Sequence, residues 1–169
     1  MGANTKDLTH KQLVKRAGKW LRDSARCRVV MEEFTACAES REIPDAIGWN
    51  ACRCIMIECK RTRSDFLTDK KKPARNDGTP ALGEFRFYFA PPGLIRPDEL
   101  PDGWGLYEVH KEQIRHAGGV SWANAKPAPL TSDKGSEVAL LLSAIRRLEI
   151  STAVFVQPNE YPSVGVEHD

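Results

Sequence analysis

The chain has 169 residues, 41% hydrophobic, 28% charged and 8% aromatic, which suits one compact domain and excludes a disordered chain. No stretch approaches the roughly 18 uninterrupted apolar residues of a membrane span, and the opening MGANTKDLTHKQLVKR has no apolar signal core, so a cytoplasmic protein that does not touch membranes is expected. The net charge of +2 conceals an asymmetry: residues 1–76 carry 17 Lys and Arg against 10 Asp and Glu, whereas residues 77–169 carry 8 against 13, which favours a polyanionic partner for the first half.

Thr9 and Gln12 form a capping-box pattern, and Leu8 with Leu13 a hydrophobic staple, so the first helix is predicted from about His10 to Ser24. Leu13, Ala17, Trp20 and Leu21 recur at helical spacing opposite Lys11, Lys15, Lys19 and Arg22, which predicts one buried and one basic face. Three strands follow, over Arg28–Ala36, Arg41–Ala46 and Cys52–Lys60. In the third, Met56, Glu58 and Lys60 alternate with Ile55, Ile57 and Cys59, the pattern of a central strand that ends in charge.

A second capping box, Thr62 to Asp65, predicts a short helix over Asp65–Lys72 that Pro73 closes. Phe85–Phe89 alternates as a fourth strand and Gly105–Val109 makes a fifth, while Gly118–Lys134 reads as loop and Ser136–Ile150 as an apolar helix. The order αβββαββα implies an α/β fold of the mixed α+β kind, a mixed sheet flanked by helices. Residues 1–150 are expected to form the single domain and residues 151–169 a partly mobile tail. The five cysteines, at 27, 37, 52, 54 and 59, lack zinc-site spacing and read as small packing residues.

Chemistry concentrates on two short motifs. Pro44-Asp45 is read at the end of the second strand, and 13 residues later Glu58-Cys59-Lys60 ends the third. If these strands pair as a hairpin, Asp45 and Glu58 meet at one end of the sheet as hard oxygen ligands suited to magnesium, with Lys60 beside them. A lysine there can orient water and neutralise an attacked phosphate, a grouping that suits phosphodiester hydrolysis. An acid-x-Lys triplet alone says little, because Asp69-x-Lys71 occurs too; Pro97-Asp98 and Pro101-Asp102 both follow the triplet and fall in turn-like sequence.

With Pro44-Asp45, Glu58-Cys59-Lys60 and the element order over residues 9–109, the chain resembles the PD-(D/E)xK nuclease superfamily. The runs PDAIGW, IECKRTRSDFLTDKKKP, FRFYFAPPGLI and ELPDGWGLYEV are similar to those of small stand-alone members from bacteria and their phages. The resemblance implies a restriction-endonuclease-like core and a deoxyribonuclease dependent on Mg2+, with Mn2+ able to substitute, acting in DNA processing, repair or defence. It implies Asp45, Glu58 and the backbone carbonyl of Cys59 as metal ligands and Lys60 as the catalytic lysine. Many members add an acidic residue from the first helix or strand; that helix holds no Glu, so Glu33 takes the role here, with Glu32 on the opposite strand face.

Arg61, Arg63, Lys70, Lys71 and Lys72 follow the motif, and Lys15 and Lys19 lie on the first helix; all seven are candidates for phosphate contact, although a basic face is commonly just solvated. His10, His110 and His116 read as solvated, and Trp49 either stacks on a base or packs inside. Alternatives to a nuclease are a non-catalytic nucleic-acid-binding module on the same fold and a protein-interaction domain with a basic face. DNA is the expected partner, and a homodimer is compatible with the sequence.

Overall fold

The computed structural model describes residues 8–34, 43–51, 53–76, 78–124 and 128–147. Helix α1 spans His10–Asp23, capped by Thr9, whose hydroxyl accepts the Gln12 N–H while the Gln12 side chain accepts the Thr9 N–H. Strands β1 (Val29–Glu32), β2 (Ala46–Asn50) and β3 (Arg53–Cys59) follow, then α2 (Arg63–Lys70), β4 (Phe85–Ala90), β5 (Trp104–Val109), β6 (Ile114–Gly119) and α3 (Lys134–Arg147). The result is a mixed α+β fold with one six-stranded sheet in sequential order.

The sheet is antiparallel from β1 to β3, parallel from β3 through β5, and antiparallel again at β6. Its two faces are both apolar, as a sheet covered on both sides requires. Leu13, Val14, Ala17, Trp20 and Leu21 of α1 pack on Ile55, Ile57, Cys59, Phe85, Phe87 and Phe89. On the other face Phe66 of α2 and Leu140 of α3 join Met56, Tyr88, Trp104 and Leu106. The alternation expected in the third strand is therefore realised, and the strand is central.

Several boundaries differ from the sequence reading. The second strand begins at Ala46, where it was expected to end, so Asp45 stands just before the strand. Pro44 offers no N–H to a ladder, and Gly48, a turn residue by its type, sits inside β2 paired with Val30 and Ile55. It must be glycine there because a Cβ would lie 2.9 Å from Cys27 Sγ. The first strand stops at Glu32 because Glu33 turns into the left-handed region, φ 47°.

The expected order lacks a strand. β6 was missed because its sequence IRHAGG carries little alternation and it is an edge strand, half-exposed along much of its length. Its glycines answer to neighbours: at Gly119, φ 65°, a Cβ would fall 2.2 Å from the Trp104 carbonyl oxygen. Helices α2 and α3 both begin two residues earlier than expected. Cys27, Cys54 and Cys59 are buried free thiols, and Trp49 is buried against the α2 face. Cys37, Cys52 and the 151–169 tail lie outside the described residues. Among the described residues no helix is long and apolar enough to cross a membrane.

Candidate active site

Parallel pairing puts the C-terminal ends of β3, β4 and β5 at the same end of the sheet: Cys59 opposes Phe89, and Ala90 opposes Glu108. The antiparallel strands bring β1's last residue and β2's first to that end too, since Glu32 opposes Ala46 and Ala46 opposes Ile57. Glu33, Asp45, Glu58 and Lys60 are thereby collected within one rim, although 27 positions separate the first from the last. The N-terminus of α1 meets the same rim through His10.

Asp45 is anchored from two sides. Its Oδ2 accepts the backbone N–H of Cys59 at 2.7 Å, and its Oδ1 lies 3.2 Å from His10 Nε2. Its own backbone carbonyl accepts the Glu33 N–H at 2.9 Å. Glu33 Oε1 stands 3.6 Å from the same histidine nitrogen, so His10 bridges the two carboxylates. Glu32 instead turns to α1, where Lys15 and Arg22 reach it at 2.6 and 3.3 Å. Of the two candidate acids, Glu33 is the one beside Asp45.

Glu58 and Lys60 share the α2 side of β3, two residues apart, and both are buried. They form half of a closed ring of alternating charges. Glu58 Oε2 lies 2.8 Å from Lys60 Nζ, and Lys60 Nζ lies 3.4 Å from Asp69 Oδ1. Asp69 Oδ2 accepts from Arg75 Nε at 3.1 Å, and Arg75 Nη2 returns to within 3.4 Å of Glu58 Oε1. Tyr88 donates its hydroxyl to Asp69 Oδ2 at 2.8 Å, and Lys72 caps the ring at 2.7 Å from Asp69 Oδ1. The Arg75 guanidinium lies 4.6 Å over the Trp104 ring, which in turn stacks on Tyr88.

The ring is neutral as a whole, which is how four charges are tolerated in a dry place. Burial pushes the Glu58 carboxyl up; Lys60 offsets this only in part, and Asp69 and Asp45 add repulsion. Burial works against the Lys60 ammonium, but Glu58 and Asp69 hold it above the ordinary lysine value. Burial also opposes the Asp69 charge, yet Lys60, Lys72 and Arg75 together hold it well below the usual carboxylate range.

Sequence reasoning passed over Asp69, Arg75 and His10. A signal existed for Asp69: it lies three residues after Phe66, the buried aromatic of α2, and so falls on the same inward face. Arg75 gave none, because its burial depends on Trp104 and Glu58, both remote in sequence. Among the seven basic candidates, four are already engaged: Lys15 with Glu32, Lys19 with Asp23, Arg63 with Glu99, and Lys72 with Asp69. Arg61 and Lys71 are exposed and Lys70 half-exposed, all three on the segment that leaves the site.

The donors present suit a hard divalent cation. They are carboxylate oxygens, and Glu58 Oε1 is buried and accepts no hydrogen bond, with Arg75 Nη2 at 3.4 Å as its ion-pair neighbour. Among the described residues no three His, Cys, Asp or Glu side chains are grouped so as to hold a metal by themselves. A magnesium-type ion asks for less, one or two carboxylates with its remaining positions filled by water or substrate. Asp45 and Glu58 supply carboxylates at the same end of the sheet, and Asp45 is tied to the Cys59 backbone that separates Glu58 from Lys60. No family model matches this chain, and no curated protein or solved structure matches it.

Proposed function

We propose that the protein is a metal-dependent nuclease with a restriction-endonuclease-like core that hydrolyses phosphodiester bonds of DNA, in bacterial or phage DNA processing, repair or defence. The observation that carries this reading is the hydrogen bond from the Cys59 N–H to Asp45 Oδ2, which ties the Pro-Asp motif to the middle of Glu58-Cys59-Lys60. Asp45, Glu58 and the Cys59 carbonyl would hold Mg2+ or Mn2+, and the ion would supply Lewis-acid charge to the phosphoryl oxygen and the leaving oxygen.

The protein's own groups have distinct tasks in this scheme. Asp45 is oriented before any ligand arrives, because the Cys59 N–H fixes one of its oxygens. Lys60 lies beside two carboxylates, so its ammonium is placed to donate hydrogen bonds that orient water and neutralise the attacked phosphate. Glu33 and His10 stand at the open side of Asp45, where side chains about half exposed can meet solvent and substrate. Arg61, Lys70 and Lys71 are available for phosphate contact beside the site.

Purified protein with single-stranded, double-stranded, nicked and branched DNA, in Mg2+ or with the cation chelated, tests the reading. Metal-dependent product that disappears in Asp45→Asn is expected; binding without cleavage in every cation would instead favour a non-catalytic module.

A further inference from the structure

We infer that Asp69 is a positioning residue for Lys60, holding the lysine ammonium in place when Glu58 turns to a cation; this rests on the nuclease reading above. Lys60 Nζ has two carboxylate partners, Glu58 at 2.8 Å and Asp69 at 3.4 Å. Only the first belongs to the candidate metal ligands. A cation that draws on Glu58 competes with Lys60 for it, and a lysine left with no other partner on a flexible four-carbon stem would lose its aim.

Asp69 is built to prevent that. It is 3% exposed, and three groups besides Lys60 fix its carboxylate: Arg75, Tyr88 and Lys72. Two of those groups are themselves immobilised, Arg75 over the Trp104 ring and Tyr88 in a stack with that ring. Arg75 also reaches Glu58, so the positive charge facing Glu58 does not come from Lys60 alone. The arrangement gives the active-site lysine a rigid second anchor on α2, an element that supplies no metal ligand in this scheme.

The test follows the Lys60 ammonium by its 1H–15N signal, assigned by its loss in Lys60→Gln, together with DNA cleavage and DNA affinity in Ca2+. In the wild type the signal persists on adding Ca2+. In Asp69→Asn the ammonium hydrogens exchange several-fold faster in the metal-free protein, and the signal is lost in Ca2+. The maximal cleavage rate falls by about 10- to 100-fold, the cost of a misplaced group, while DNA affinity in Ca2+ stays within about twofold, the split expected when only the chemical step is impaired. Asp69→Glu restores part of the rate. Tyr88→Phe, which removes one of the two hydrogen bonds that Asp69 Oδ2 accepts without removing charge, shifts exchange in the same direction by less and serves if Asp69→Asn does not fold. Unchanged Lys60 exchange in the folded variants overturns the inference. A wild type that neither cleaves nor binds a divalent cation defeats the nuclease reading, and exchange in the metal-free protein still decides whether Asp69 holds Lys60.

Discussion

Asp45 Oδ2 accepts the backbone N–H of Cys59 at 2.7 Å, so a side chain at the entrance of β2 fills the place of the next ladder bond to β3. The hairpin register and the candidate ligand geometry are thus a single feature. A one-residue slip would turn Glu58 and Lys60 to the α1 face and carry Asp45 away from them. Asp45→Ala is expected to lose metal-dependent cleavage and also to fray the start of β2. Asp45→Asn keeps an acceptor for the Cys59 N–H and should keep amide-exchange protection at Cys59. Lost protection in the Asn variant would show that the carboxylate charge, not the acceptor, holds the hairpin end.

Lys60→Ala is expected to abolish cleavage and to weaken the fold. It leaves Glu58 and Asp69 buried with one cation fewer, and breaking a buried pair from one side costs about 3–5 kcal/mol. Arg75 remains to both acids, which places the expected loss near the lower figure. Urea unfolding measures it; a change of less than about 1 kcal/mol, the size of an exposed pair, would show that the ring contributes no more than surface charges do.

The ring also predicts a pH dependence. Asp69 titrates below its unfolded value, so its ionised form contributes stability that is fully present above about pH 4 and is lost as pH falls toward the depressed folded value. Glu58 has the opposite sign: its raised folded pKa favours the protonated form and makes its own contribution less favourable as pH rises. Asp69→Asn should therefore destabilise at pH 7 and flatten the fall in stability below about pH 4. Urea midpoints measured between neutral and acid pH provide the comparison, and an acid limb as steep as that of the wild type would exclude Asp69 as its source.

Much of this architecture could be read from side-chain periodicity. The capping boxes of α1 and α2 are present as predicted, and the phase of β3 places Glu58 and Lys60 on one face. What escaped depends on contacts that no local pattern encodes. Gly48 falls between the expected second and third strands until Cys27 is seen against it, and only β5's hydrogen bonds make a strand of β6, whose Gly118 and Gly119 read as loop. Arg75 carries no local sign of burial, because Trp104 and Glu58, both remote in sequence, make its burial tolerable. His10 looked like a solvated helix-start residue; its meeting with Asp45 is set by where α1 crosses the sheet end.

Glu32 and Glu33 should separate function from stability. Glu32 neutralises Lys15 and Arg22 of α1, so Glu32→Gln should lower stability by about 1 kcal/mol and leave cleavage intact. Glu33 has no Lys or Arg partner among the contacts described, its neighbour there being His10, and Glu33→Gln should weaken cleavage or metal affinity with little change in stability. Calorimetric metal titrations on both variants distinguish them; the reverse pattern would place the third carboxylate on α1's side.

The nucleic-acid path is testable through salt. Replacing Arg61, Lys70 and Lys71 together by Ala should shallow the slope of log affinity against log salt by up to about 2–3 units in Ca2+, at about 0.9 per phosphate contact. Replacing Lys15 and Lys19, both already paired with acids, should change it by less than about one unit. An unaltered slope in the first variant and a shallow one in the second would move the DNA from α2 to α1.

The measurement that bears most directly on the central claim is a cleavage assay comparing wild type with Asp45→Asn on the same panel of DNA substrates in Mg2+, Mn2+, Ca2+ and chelator. Product is expected for the wild type in Mg2+ or Mn2+, none in chelator, little in Ca2+, and none for Asp45→Asn under any condition while its fold is retained. Equal cleavage by the two proteins, or no cleavage of any substrate by the wild type in Mg2+ or Mn2+, would contradict it.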